Sequence, residues 1–226
     1  SFVLFKPKDI VSGDFYWIHE KNNVVFYATG DCTGHGVPGG FMTMLGLSFL
    51  DEIVEVKGIK TPSEILNMMR DKIVSTLKQH GNFGESKDGM DITVCCFDKT
   101  KKELQYASAN NALYIIKAQQ EGHGQELLIY KADKQPCGFY HAYKPFTNNV
   151  IKLDEGDCIY TFSDGFPDQF GGPNAKKYMH RQFKEVLLQN CHLNFAEQKN
   201  LLNASFENWR GKQDQVDDVL VIGVLV

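Results

Sequence analysis

No apolar run in the chain approaches the roughly 20 residues that span a bilayer, and no contact of this domain with a membrane is expected. Neither charge sign dominates: the net charge is −4 over 226 residues, which gives no reason to expect nucleic acid or an anionic surface as partner. No repeat, low-complexity tract or Pro/Gly/Ser-rich linker divides the chain. It therefore reads as a single domain over 1–226, long enough to bury a real core. No CxxC pair occurs among Cys32, Cys95, Cys96, Cys137, Cys158 and Cys191. Cys95 and Cys96 are adjacent in an apolar run and would point to opposite faces of a strand. Buried, reduced thiols of a cytoplasmic protein are the expectation, not a disulfide framework. A GxSxG elbow, an HCxxGxxR loop around a nucleophilic cysteine and a phosphate-cradling P-loop are all missing. No secretory leader pattern is present. Ser1 is followed at once by strand-like Phe2-Val3-Leu4-Phe5, so the chain is expected to be a domain cut from a longer signalling protein.

What the chain does have is many short apolar runs rich in β-branched and aromatic residues. They predict strands at 2–6, 15–19, 24–30, 91–98, 103–107, 112–118, 126–131, 150–153, 158–163 and 218–225. Asn22-Asn23 and the run from Lys99 to Lys102 look like hairpin turns, which favours antiparallel sheets. Four helices break the pattern. One is predicted over 37–56, with Pro38 in its first turn. Its residues Phe41, Met42, Met44, Leu45, Leu47, Phe49 and Leu50 leave little polar face and are expected to be buried. A second runs from Thr61 towards Gly81, with Thr61, Pro62 and Glu64 forming a capping box. A third covers about 174–190. A fourth covers about 195–210, capped by Asn194, with Leu201, Leu202, Phe206 and Trp209 facing inward. Helices inserted in pairs among strands predict a layered α+β protein with sheets inside and helices outside.

The carboxylates fall at strand ends. Asp31 follows Val24 to Gly30, and Asp164 follows Cys158 to Ser163. Asp14, Asp91 and the Asp217-Asp218 pair each precede a strand. In antiparallel sheets the end of one strand neighbours the start of the next, so these positions can meet at one edge. Gathered anions repel, and each desolvated one costs several kcal/mol unless neutralised. Divalent cations supply that neutralisation, and oxygen donors suit Mg²⁺ or Mn²⁺. Two such ions can share a water, lower its pKa and clamp a phosphoryl oxygen. Gly13, Gly30, Gly34, Gly36 and Gly165 stand beside the candidate ligands and permit tight turns there. Asp-Gly pairs also mark plain surface turns, but their recurrence at strand edges argues for a site.

Lys6-Pro7-Lys8-Asp9-Ile10-Val11-Ser12-Gly13-Asp14-Phe15-Tyr16 and Gly30-Asp31-Cys32-Thr33-Gly34-His35-Gly36-Val37-Pro38-Gly39 resemble the signature of PPM-type metal-dependent phosphatases. The closest likeness is to the bacterial branch of the stage II sporulation and sigma-factor-regulator phosphatases. Thr161-Phe162-Ser163-Asp164-Gly165 and Val216-Asp217-Asp218-Val219 resemble its later motifs, so the likeness runs along the whole chain. The resemblance implies a four-layer αββα sandwich, two antiparallel sheets flanked by helix pairs, and serine/threonine protein phosphatase activity. It implies that Asp31 bridges two Mn²⁺ or Mg²⁺ ions, that the Cys32 carbonyl ligates one, that Asp164 and Asp217 hold the other, and that Asp14 acts through water. Asp88, Asp91 and Asp168 are candidates for a third ion. Asp218 is read as the neighbour of a ligand and the more tolerant of its pair. His35 stands later than the general-acid histidine of some relatives. It is a candidate acid, or an orienter of the helix start. Many relatives have an arginine near the first motif for the phosphate; here Lys6 and Lys8 are the candidates for that contact, or else solvated strand-end charges. The implied partners are a phosphoprotein, such as an anti-sigma-factor antagonist domain, an upstream sensor domain and a second copy in a homodimer. A non-catalytic scaffold on the same fold is the rival reading, and it predicts missing ligands. Asp31, Asp164 and Asp217 are all present.

Overall fold

Period-two alternation sorts the strand residues onto two kinds of face. A computed structural model describes residues 1–82, 84–118 and 125–226. One sheet takes, in spatial order, β1 (Phe2–Lys6), β13 (Val219–Leu225), β10 (Cys158–Phe162), β6 (Leu113–Ile116) and β7 (Leu127–Tyr130). The other takes β2 (Asp14–Lys21), β3 (Val24–Cys32), β4 (Gly89–Asp98), β5 (Glu103–Ala109) and β9 (Asn149–Lys152), with the short β8 (Cys137–Gly138) on β4. Every pairing between these strands is antiparallel, and Ala109 at the end of β5 adds one isolated parallel bridge to Asp133. The expected turn at Asn22-Asn23 is present, with both residues left-handed at φ 53 and 62, as a two-residue hairpin requires.

Outside the second sheet lie α1 (Gly36–Leu50), its π-helical continuation Asp51–Val56, and α2 (Pro62–Thr76). Outside the first lie α4 (Met179–Asn190) and α5 (Phe195–Arg210), with the single turn α3 (Gly165–Asp168) beneath them. Three apolar layers separate these four. Val219 and Val221 face α4 and α5, while Leu220 and Ile222 face the opposite sheet. Ile92, Val94 and Cys96 face α1 and α2, while Cys95 and Phe97 face inward. The layered sandwich is therefore the alternation of the strands made solid, and all six cysteines are free and buried.

Several helical expectations need correction. The third helix begins at Met179, not near 174. Lys176–Lys177 instead form β12 of a small hairpin with β11 (Phe170–Gly171). Thr61 and Pro62 do open α2, but Thr61 makes no side-chain cap bond, whereas Asn194 and Glu197 form a full capping box on α5. Leu201 points outward. On α1, Val37, Phe41 and Met44 are more than half exposed, because the helix packs only one side on β2 and β3, drawn close where Gly46 faces Phe15 and Met90. Gly36–Val56 is long and apolar enough to cross a membrane by length and composition alone. Yet Met42, Phe49, Leu50, Ile53 and Val54 sit in the core. Asp51 accepts from the Trp17 indole, and Glu52 is paired with Lys57 and Lys72.

A polar link crosses the inter-sheet layer away from its edge. The buried hydroxyls of Thr29 on β3 and Thr161 on β10 lie 2.6 Å apart. Removing one leaves its partner unsatisfied in an apolar layer, which costs about 1–3 kcal/mol, whereas replacing both by isosteres is nearly neutral. Thr29→Val and Thr161→Val are each expected to lower stability by about that amount, and the double variant to lose less than the sum. Denaturant unfolding of the three variants measures the coupling; strict additivity would show that the pair contributes nothing.

Candidate active site

The two sheets end side by side, and each brings aspartates to that edge. From the second sheet, β2 begins at Asp14 and β3 ends at Asp31-Cys32. Asp14, Asp31 and Asp91 lie in one row across β2, β3 and β4. From the first sheet come Asp164, just past β10, and Asp217-Asp218, just before β13. Gly165 lets the α3 turn press onto this edge: a Cβ there would collide with the Asp218 carbonyl.

Burial and like charge act together on these acids. Burial first, then Asp218, Asp217 and Asp164, push the Asp14 carboxyl up to about 8, against a hydrogen bond from Ser163 that pulls it down. Burial, then Asp14, Asp164, Asp217 and Asp91, push Asp31 up to about 9. Asp164, which keeps a face open to water, is raised to about 6 by partial burial, Asp168, Asp217 and Asp91, with Lys177 opposing. Asp91 is raised by burial against a hydrogen bond from Asn110. Among the described residues, no three acidic, histidine or cysteine side chains close into a ligand-spaced cluster. What these acids share is an electrostatic environment of one sign. Its donors are hard oxygens, which fits Mg²⁺ or Mn²⁺.

The other sequence candidates divide. Asp91 belongs to the row, while Asp88 lies off it, bonded to Ser86. Asp168 carries a salt bridge from Lys177 at 2.6 Å. The Cys32 thiol is buried, and burial holds it well above its ordinary value, which leaves the backbone as this residue's donor. His35 starts α1 without capping it, and its Nδ1 lies 2.9 Å from Asp9 Oδ2. Lys6 does not point at the acids: its ammonium is held on α5 by Glu207 and Asn203. Lys8 contributes a backbone N–H to Asp218.

Asp218 is no bystander. It is buried, and its two oxygens accept from the N–H groups of Lys8, Gly13 and Asp14 at 2.7, 2.7 and 3.4 Å. A residue of the first sheet thereby holds the loop that enters the second. Ser163 does the same from β10: its hydroxyl donates to Asp14 Oδ2 and accepts from Leu220 N–H. Sequence reasoning missed Ser163, Asn110 and Lys177. Ser163 was visible only as the residue before Asp164, and Asn110 only as one of two asparagines in a turn.

The sequence matches the family model of Stage II sporulation protein E over residues 21–226. The chain belongs to the SpoIIE family. The SiaA-PP2C domain of Pseudomonas aeruginosa is similar in structure, with a TM-score of 0.86 and 28% identity over 100% of this chain and 85% of that one. The PP2C phosphatase domain of SpoIIE from Bacillus subtilis, solved with a fragment of its regulatory domain, gives 0.76 at 19% identity, over 99% of this chain and 62% of that one. RsbX in complex with magnesium gives 0.63 at 12% identity, over 99% of this chain and 94% of that one. Compared by sequence with curated proteins, the chain has no match. The expected sandwich is thus the PP2C fold, and the expected likeness to SpoIIE-type PP2C phosphatase domains holds.

Two expectations follow for this SpoIIE-family chain. Asp31→Asn, Asp164→Asn and Asp217→Asn should each lower turnover by about two orders of magnitude or more while leaving the fold intact, since each removes a charge from the site. Asp218→Asn should instead lower stability by about 1–3 kcal/mol, because a donor then faces backbone donors. Thermal melts beside turnover separate the two classes, and an Asp218→Asn variant as stable as the parent would contradict the clasp.

The pH dependence has a definite sign. Asp14 and Asp31 keep their protons in the folded chain up to about 8 and 9 but lose them near 3.8 when unfolded. Their contribution to stability is therefore complete below 3.8 and is lost as pH rises through the folded values. In chelator, the melting temperature should fall between pH 5 and pH 9. A melting temperature that climbs steadily across that range would refute the assignment.

Proposed function

We propose that this SpoIIE-family chain is an active, metal-dependent protein phosphatase that hydrolyses phosphoserine or phosphothreonine on a regulatory protein. One observation carries this reading: aspartates of both sheets, buried Asp14 and half-buried Asp31 from one, open Asp164 and half-buried Asp217 from the other, act on one another at a single edge of a PP2C fold. Asp14, Asp31, the Cys32 carbonyl, Asp164 and Asp217 would hold two Mn²⁺ or Mg²⁺ ions. When bound, such ions lower the pKa of a water and neutralise charge on a phosphoryl oxygen. That RsbX was solved in complex with magnesium supports this class of ion.

The chain's own residues supply the rest. Ser163 fixes one Asp14 oxygen and so aims the other. Asn110 does the same for Asp91. The Asp9–His35 pair stands at the start of α1, four residues past Asp31, where the free ring nitrogen of His35 is able to serve a leaving serine oxygen. The substrate expected from the family is a phosphoserine on an anti-sigma-factor antagonist domain. The expected regulators are an upstream sensor region and a second copy of the chain, acting through α1, whose first turn is one loop from Asp31. A cytoplasmic setting fits the six free thiols.

Hydrolysis of p-nitrophenyl phosphate should require Mn²⁺ or Mg²⁺ and fall by about 100-fold or more in EDTA, with recovery on adding back the ion. Full activity in chelator would sink the metal mechanism. No hydrolysis with either ion present would favour the scaffold reading.

A further inference from the structure

Among the described residues, one ammonium group pairs with an acid beside the sheet-edge carboxylates. Lys177 Nζ lies 2.6 Å from Asp168 Oδ2, and Asp168 sits on the α3 turn whose first carbonyl belongs to Asp164: Asp168 N–H donates to Asp164 O at 2.9 Å. Lys177 is also the cation that opposes the upward shift of Asp164, so its charge is felt inside the site. Lys6 is spent on α5.

The position of Lys177 is imposed by its backbone. It pairs with Phe170 in the β11–β12 hairpin. That hairpin is fastened at both ends. Gly172 N–H donates to Trp209 O at 2.7 Å, and Tyr178 N–H donates to Gln169 O at 2.9 Å. Gly171 lies so close to Trp209 that a Cβ would strike its carbonyl. Gln169, fully buried, gives its amide to Asp214 O and accepts from Val216 N–H, which ties the hairpin to the loop bearing Asp217. The ammonium is therefore presented to Asp168 by a braced element, and the Phe170 ring lies 6.0 Å from it.

We propose that Lys177 is a tethered counter-cation: it occupies Asp168 with the protein's own charge and so holds the site to two divalent ions instead of three. A divalent ion binding through Asp168 would have to displace an ammonium that cannot diffuse away, and would remain beside it. A surface salt bridge is weak in itself, but here the tether keeps the competing charge at high effective concentration. This inference rests on the two-ion reading above, and it gives Lys177 a positioning role, without contact to the reacting atoms.

The test is the number of Mn²⁺ ions bound per chain, by equilibrium dialysis with elemental analysis, alongside thermal melts. The parent should bind two. Lys177→Met, which keeps the stem and removes the charge, should bind a third ion about tenfold or more tighter than the parent does. Lys177→Arg should behave as the parent, and Lys177→Met with Asp168→Asn should return to two. Two ions in both parent and Lys177→Met would overturn the inference while leaving the two-ion reading intact. So would three in the parent, or an unchanged ion count with a raised KM for p-nitrophenyl phosphate, which would make Lys177 a substrate contact. No ion bound to the parent would overturn both.

Discussion

The site exists only where two separate sheets come together, and a buried carboxylate holds them there. Asp218 opens a strand of one sheet, yet both its oxygens are filled by backbone N–H groups of the loop that leads into the other. Ser163 repeats the link one strand over. Apolar packing between the sheets is strong but indifferent to register, because Leu220, Ile222, Tyr27 and Phe97 could slide over one another at modest cost. Directional bonds at the edge fix what packing leaves free. Asp14, Asp31, Asp164 and Asp217 then face one another because Asp218 and Ser163 leave the strand ends one arrangement.

Much of this was legible in the sequence. Strands that read as continuous apolar runs, such as 91–98 and 218–225, appear within two residues of their expected bounds, since a strand with a core on each face is apolar on both. The Asn194 cap was legible because capping is local chemistry, although Glu197, which completes its box, was not singled out. The failures are those of long-range context. Thr61 has the right type and place for a cap but its side chain does not bond. Phe41 and Met44 belong by composition in a core, yet nothing in the described chain covers them. The β11–β12 hairpin is too short for periodicity to register. It depends on close contact of Gly171 and Gly172 with Trp209, far along the chain.

Asp218 is the instructive case among the site residues. Side by side in sequence, Asp217 and Asp218 are both carboxylates before a buried strand, and no local pattern separates a bystander from a keystone. The structure separates them by direction. Successive residues at a strand entrance point to opposite sides, so one faces the acids and the other faces the loop between the sheets. Motif likeness located the pair; only the fold shows that the second member has structural work of its own.

Two populations of aspartate thus share one edge. Asp218 is buried and its lone pairs are met by backbone donors, so its charge is balanced within the protein. Asp14 is buried too and Asp31 half-buried, but they face other acids, and each is driven far above the ordinary carboxylate range. A fold selected for stability alone would have replaced such residues with neutral ones, because uncompensated burial costs several kcal/mol per ion. Asp168 stands between the two, half-buried and balanced by a lysine brought from a braced hairpin. Which acids the protein satisfies itself and which it leaves wanting is the most direct record of what the edge is for. The acids left wanting are those that a cation would hold.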